Sequence, residues 1–108
     1  MLVLFDHGTP FPLRPFLEGH SVKRTQDMGW DWLTNGELLE VAEAGGFDLL
    51  LTTDKNIRYQ QNLTGRKISI VVLGNAQWPV LIRHIQLVVD AVNAAHPGSY
   101  LEVSIPTR

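Results

Sequence analysis

Three short apolar runs punctuate the chain, at residues 2–5, 47–53 and 68–73, closed in turn by Asp6, Asp54 and Gly74. Each is too short for a packed helix and rich in Leu, Ile or Val, the mark of strands buried on both faces of a parallel sheet. Between them the apolar period changes. Over residues 36–44, Leu38, Val41 and Ala42 fall at helical spacing, with Glu40 and Glu43 opposite, Thr34 or Asn35 as cap, and Gly45-Gly46 as stop. A second helical pattern opens at Pro79 and marks one face with Leu81, Ile85, Val88, Val92 and Ala95 before Pro97-Gly98 ends it. Residues 12–17, crowded by prolines, suit a short helix, residues 20–25 alternate weakly as a strand, and residues 26–33 look like a loop. Residues 100–105 alternate as an edge strand. Strands alternating with helices predict a small parallel α/β sheet covered on both sides.

Composition narrows this further. The 108 residues suffice for one compact domain, and 44% hydrophobic content excludes a disordered or low-complexity chain. With 9 basic and 11 acidic residues the net charge is −2, so nucleic-acid binding requires a local basic patch. The lack of Cys excludes disulfides, thiolate zinc sites and cysteine nucleophiles. No run reaches the roughly 20 apolar residues of a membrane span, and the apolar N-terminus lacks a basic leader, so the expectation is a cytoplasmic protein without a membrane partner.

Ligands of open parallel sheets bind beyond the carboxyl ends of the strands, where Asp6 and Asp54 are expected. Glu37, in the first turn of its helix, can open onto the same edge. Three converging carboxylates repel, by roughly 3 kcal/mol for a pair about 5 Å apart at an effective dielectric near 20, and so call for shared protons or a divalent cation. Oxygen donors favour Mg²⁺ or Mn²⁺, which suits phosphodiester hydrolysis. Taken singly, each acid is equally a turn, capping or first-turn residue. The tract 55–67 carries Lys55, Arg58, Arg66 and Lys67 without an acid, and Tyr59 among them, a composition that suits either a solvated loop or a grip on an RNA backbone with a stacked base. Trp30, Trp32 and Trp78 read as core or helix-packing residues, although the Trp30 and Trp32 pair in a loop also suits a partner interface, with His7 as an accessory beside the acids, and Glu40, Glu43 and Asp48 as solvated surface.

Leu4-Phe5-Asp6 with its proline-containing turn, Thr34-Asn35-Gly36-Glu37-Leu38-Leu39, and the long tract from Leu51-Thr52-Thr53-Asp54 through Lys55-Asn56-Ile57-Arg58-Tyr59-Gln60-Gln61-Asn62-Leu63 resemble the small PIN-like domains regarded as predicted toxin ribonucleases, relatives of the PIN nucleases and of the Mut7-C domain. The resemblance covers nearly the whole chain. It implies a single PIN-like domain over 1–108, a compact three-layer fold with a mainly parallel sheet, and Mg²⁺ or Mn²⁺ held by Asp6, Glu37 and Asp54. It also implies RNA as substrate, a small antitoxin as partner, and a homodimer. Where such domains commonly read Asp-Glu-Asn after the first strand, this chain has Asp6-His7-Gly8, and after residues 68–73 it offers Gly74, Asn75 and Gln77 in place of a fourth acid. Asn75 is the neutral substitute there. Those departures support a second reading, a non-catalytic RNA- or protein-binding module with a decayed acidic site. A phosphoacceptor receiver domain fits poorly, for lack of a second acid beside Asp6 and of a Lys after the last strand.

Overall fold

A computed structural model describes residues 1–60 and 63–107, apart from the side chains of Tyr59 and Gln60. Five strands, β1 (Leu2–Phe5), β2 (Ser21–Arg24), β3 (Leu49–Thr52), β4 (Ser69–Leu73) and β5 (Tyr100–Val103), form one sheet in the order β2-β1-β3-β4-β5. Every pairing is parallel. The helices are α1 (Thr25–Met28), α2 (Asn35–Ala44), α3 (Ile57–Gln60), α4 (Trp78–Leu81) and α5 (Ile85–Ala94), with 3-10 turns at Phe11–Phe16 and Ile82–His84. The expected three-layer α/β architecture is thus present.

Alternation along the strands divides the core in two. On one face Val3, Phe5, Leu49, Leu51, Val71, Leu73 and Val103 meet Leu13, Leu17 and the α5 residues Val88, Ala91 and Val92. On the other, Leu4, Leu50, Ile70 and Val72 meet Leu38, Leu39 and Ala42 of α2 and Ile57 of α3. Burial of each large side chain among them contributes roughly 1.5–3 kcal/mol, which is what holds strands of four or five residues that have no hairpin partner. The apolar runs were legible because both faces are covered.

The layers have an unusual consequence for chain direction. The β2-to-β3 and β3-to-β4 connections move across the sheet one way and carry α2 and α3 on the second face. The β4-to-β5 connection moves the same way yet carries α5 on the first face. Its hand is therefore opposite to theirs, although about 98% of such crossovers share the right hand. The placement covers the row Leu49, Leu51, Val71, Leu73 and Val103, which would otherwise face water.

Sequence expectations need three local corrections. Thr25, expected to end a strand, and residues 26–28, expected within a loop, form a turn of helix closed by Gly29 at φ 73. The helix opening at Pro79 is broken at Ile82–His84 rather than continuous. Glu43 and Asp48 are tethers at the amino edge of the sheet: the Lys67 and Ile68 amides donate to Glu43 Oε1 at 2.8 and 3.1 Å, and the Leu2 amide donates to Asp48 Oδ2 at 2.8 Å.

Gly74 ends β4 where another backbone comes close. Its amide donates to the Val103 carbonyl at 2.9 Å, and an added Cβ would lie 2.9 Å from that oxygen and 3.3 Å from the Ile105 nitrogen. Both are main-chain atoms, so neither can swing aside. A Gly74→Ala substitution is expected to lower unfolding free energy by about 1–3 kcal/mol, read by urea denaturation, and a neutral result would contradict the β4–β5 contact.

Candidate functional site

The strand order reverses direction at β1 and β3, and the crevice at their carboxyl ends is where open α/β sheets take ligands. Asp6 follows β1 directly and Asp54 follows β3 after one residue. Between them stands Thr52, fully buried at the end of an otherwise apolar strand. A buried hydroxyl must find partners. It donates to Asp6 Oδ2 at 2.8 Å and accepts the Asp54 amide at 3.1 Å, so one side chain ties both strand ends together.

The remaining carboxylate oxygens are also oriented. Asp6 Oδ1 accepts the His7 amide at 2.8 Å, Asp54 Oδ1 accepts the Asn56 amide at 2.9 Å, and Asp54 Oδ2 accepts the Asn35 side-chain amide at 2.8 Å. Asn35 opens α2, so this bond fixes the helix start against the end of β3. The turn after β1 is pinned too: the buried Thr9 hydroxyl donates to the Leu51 carbonyl at 2.8 Å. At Gly8 a Cβ would come within 2.5 Å of Thr53 Oγ1, so the residue after His7 packs closely on the side chain that follows β3.

Glu37 is engaged elsewhere. Thr34 caps α2, and Glu37 Oε1 accepts both the Thr34 hydroxyl at 2.8 Å and its amide at 3.3 Å, the reciprocal capping box of a helix start. Among the described residues no group of three or more His, Asp or Glu side chains is arranged to hold a metal ion. The structure therefore joins Asp6 to Asp54 and leaves Glu37 in its cap. A Thr34→Ala substitution is expected to cost about 1 kcal/mol, seen as a lowered urea midpoint, while releasing the Glu37 carboxylate.

The basic tract does not form one patch. Lys55 lies beside Asp54 and lines an open cleft of about 330 Å³ with Thr53, Asn75 and Gln77. Asn75 shapes the turn after β4, its Oδ1 accepting the Gln77 amide at 2.8 Å. Arg58 reaches β5 instead, 3.4 Å from Glu102 and over the Tyr100 ring at 5.7 Å. Arg66 and Lys67 precede β4 and sit at the opposite edge of the sheet, about 15 Å away by strand length. Lys67 there lines a cavity of about 710 Å³ with Met1, Phe47 and His96, at the edge away from Asp6 and Asp54. The Tyr59 side chain and residues 61–62 lie outside the described residues.

Two side chains of this edge were missed or misread from sequence. Thr52 and Asn35 orient the acids, and a Thr closing the run Leu49-Leu50-Leu51 was the available signal for the first. Trp30 and Trp78 pack as expected, edge-on to Phe47 at 5.7 Å and against Phe16 at 6.1 Å. Trp32 does not, being 76% exposed.

No family model, curated protein or solved structure matches the chain. Among the described residues no helix is long and apolar enough to cross a membrane.

Proposed function

We propose that the chain is a PIN-like, divalent-metal-dependent endoribonuclease, the toxin half of a toxin–antitoxin pair that acts in the cytoplasm. The observation that carries this reading is the Asp6–Thr52–Asp54 chain at the strand-order reversal. One buried hydroxyl holds the Asp6 carboxylate and the Asp54 main chain, and Asn35 holds the Asp54 carboxylate, more constraint than turn residues require.

Their chemistry fits Mg²⁺ or Mn²⁺. All four carboxylate oxygens accept one hydrogen bond from the chain, which leaves each with lone-pair capacity for a cation. Mg²⁺ commonly takes one or two protein carboxylates and keeps several waters, so the pair suffices and Glu37 joins only by leaving its cap. When bound, such an ion supplies Lewis acidity to a phosphodiester oxygen. The chain's own part is positional: Thr52 and Asn35 hold the two carboxylates in orientation, as outer partners of metal ligands do. Lys55, exposed beside Asp54, adds positive charge for the RNA backbone, and His7 lies exposed next to Asp6. A small antitoxin covering the acids and a second copy of the chain are the partners in this reading.

The capped Glu37 favours the second reading, an RNA- or protein-binding module without turnover. Incubation with an unstructured RNA separates the two. Fragments that appear with Mn²⁺ and vanish with a chelator support the nuclease, whereas RNA retained in a gel shift and left intact at every metal concentration overturns it.

A further inference from the structure

The sheet ends in two unlike edges. β2 closes one and carries an exposed Lys23, the kind of charge that keeps an edge strand from pairing with another chain. β5 closes the other and is joined to β4 on one side only. The Ser99 and Val103 carbonyls accept the Ile70 and Gly74 amides, both at 2.9 Å, so strand alternation turns the Glu102 amide and carbonyl outward. Glu102 is the one charge on β5, and it is matched within the chain: the Arg58 guanidinium lies 3.4 Å away and the Tyr100 hydroxyl donates to it at 3.0 Å. β5 therefore lacks the guard that β2 carries.

The face of this edge that α5 covers is apolar. Leu101, 44% exposed, lines an open groove of about 370 Å³ with Leu87, Ala91 and Ala94 of α5, and Leu87 is itself 42% exposed. Those α5 positions are four and three residues apart, one stripe of the helix, and the two alanines leave the groove unfilled. Asp90, at its rim, accepts the Gln86 side-chain amide at 2.7 Å.

We infer that β5 pairs antiparallel with β5 of a second copy, about a two-fold axis through Leu101, which joins two five-stranded sheets into one. The chain's own charges select that register. With the axis at Leu101, Glu102 stands opposite the partner's Tyr100, the residue type it already bonds, on the side that Arg58 covers. An axis one residue on, at Glu102, would set two carboxylates face to face. On the other face Leu101 meets its own copy in a close pair with Leu87 of each chain beside it, so the two grooves fill one another. Such a contact is isologous and consumes the unguarded edge, so assembly stops at two. The second copy named in the proposed function thereby gains a surface, and the two acidic edges point in opposite directions. The pairing rests on the edge strand and not on metal chemistry, so the two readings fail separately.

Light scattering of the full chain at tens of micromolar should give the mass of two chains. Leu101→Lys should give the mass of one, its dissociation constant raised about 100-fold or more by two ammonium groups on the axis. Its circular dichroism should stay native, because Leu101 is already exposed in the single chain. Register has its own readout, since the chain has no Cys. Leu101→Cys places two thiols on a close pair with Cα atoms about 4.5 Å apart, within disulfide reach, so diamide should oxidise them to a covalent dimer. Glu102→Cys, comparably exposed but off the axis, should cross-link far more slowly. A single-chain mass at every concentration overturns the pairing and leaves the edge to an extended segment of another protein. A two-chain mass that Leu101→Lys leaves intact, or equal cross-linking of Leu101→Cys and Glu102→Cys, overturns it as well. A two-chain native protein that never cuts RNA keeps the pairing and removes the nuclease.

Discussion

Under the proposed nuclease reading, an Asp54→Asn variant is expected to lose metal-dependent RNA cleavage by about 100-fold or more, since substitution of mere outer partners of metal ligands already costs 10–100-fold. The substitution keeps the shape of the side chain but removes its charge and one acceptor. A single amide oxygen cannot then serve both the Asn56 amide and the Asn35 side chain, which are now held at 2.9 and 2.8 Å. The local cost is about 1 kcal/mol, small enough for the fold to persist. Linkage gives a second readout that does not depend on turnover. At Mn²⁺ about 100-fold above its dissociation constant the native protein should gain roughly 2.7 kcal/mol. For a domain of this size that is a rise in melting temperature of about 10 °C. The variant should show no rise, and the same rise in both proteins would remove Asp54 from the proposed metal site.

The largest effect on stability is expected at Phe5. Its ring is fully buried on the face shared by Leu13, Leu17 and α5, and its backbone pairs with Arg24 on one side and Leu51 on the other. Truncation to Ala in such a core costs about 3–5 kcal/mol, from lost transfer free energy and the cavity left behind. A domain of this length has only about 5–15 kcal/mol in total. Phe5→Ala should therefore move the urea midpoint far down with little change in slope, and a loss below about 1 kcal/mol would contradict the packing assigned to it. Because Asp6 is the next residue and its amide donates to the Leu51 carbonyl at 3.0 Å, the same substitution should loosen the acidic edge.

How much of this was legible beforehand follows from which forces write themselves into local pattern. Residues 2–5 and 68–73 announced strands because parallel strands are apolar on both sides, and the cap and stop of α2 were readable because Thr34 and Gly45-Gly46 act on their own chain neighbours. The placement of Asp6 and Asp54 at one edge followed from the sheet being parallel. The fate of the basic tract was in principle readable by the same rule. A segment joining two parallel strands must travel the full length of the sheet, so Lys55 and Lys67 had to finish at opposite edges. Glu37 was ambiguous because a capping-box acid and a metal ligand look alike in sequence, and only the Thr34 hydroxyl bond separates them. Trp32 was unreadable from spacing alone, since its outward turn depends on Trp30 finding Phe47 across the chain.

The reversed hand of the last crossover reaches beyond geometry into the order of assembly. Leu13 and Leu17 share their dry layer with Val88, Ala91 and Val92, more than seventy positions later. Contacts between such distant partners slow folding, because a long loop must close before they form. During synthesis the Val3, Phe5, Leu49 and Leu51 side chains on that layer stay wet until the α5 segment has cleared the ribosome, so a partner that shields the nascent first half would govern how much native protein accumulates.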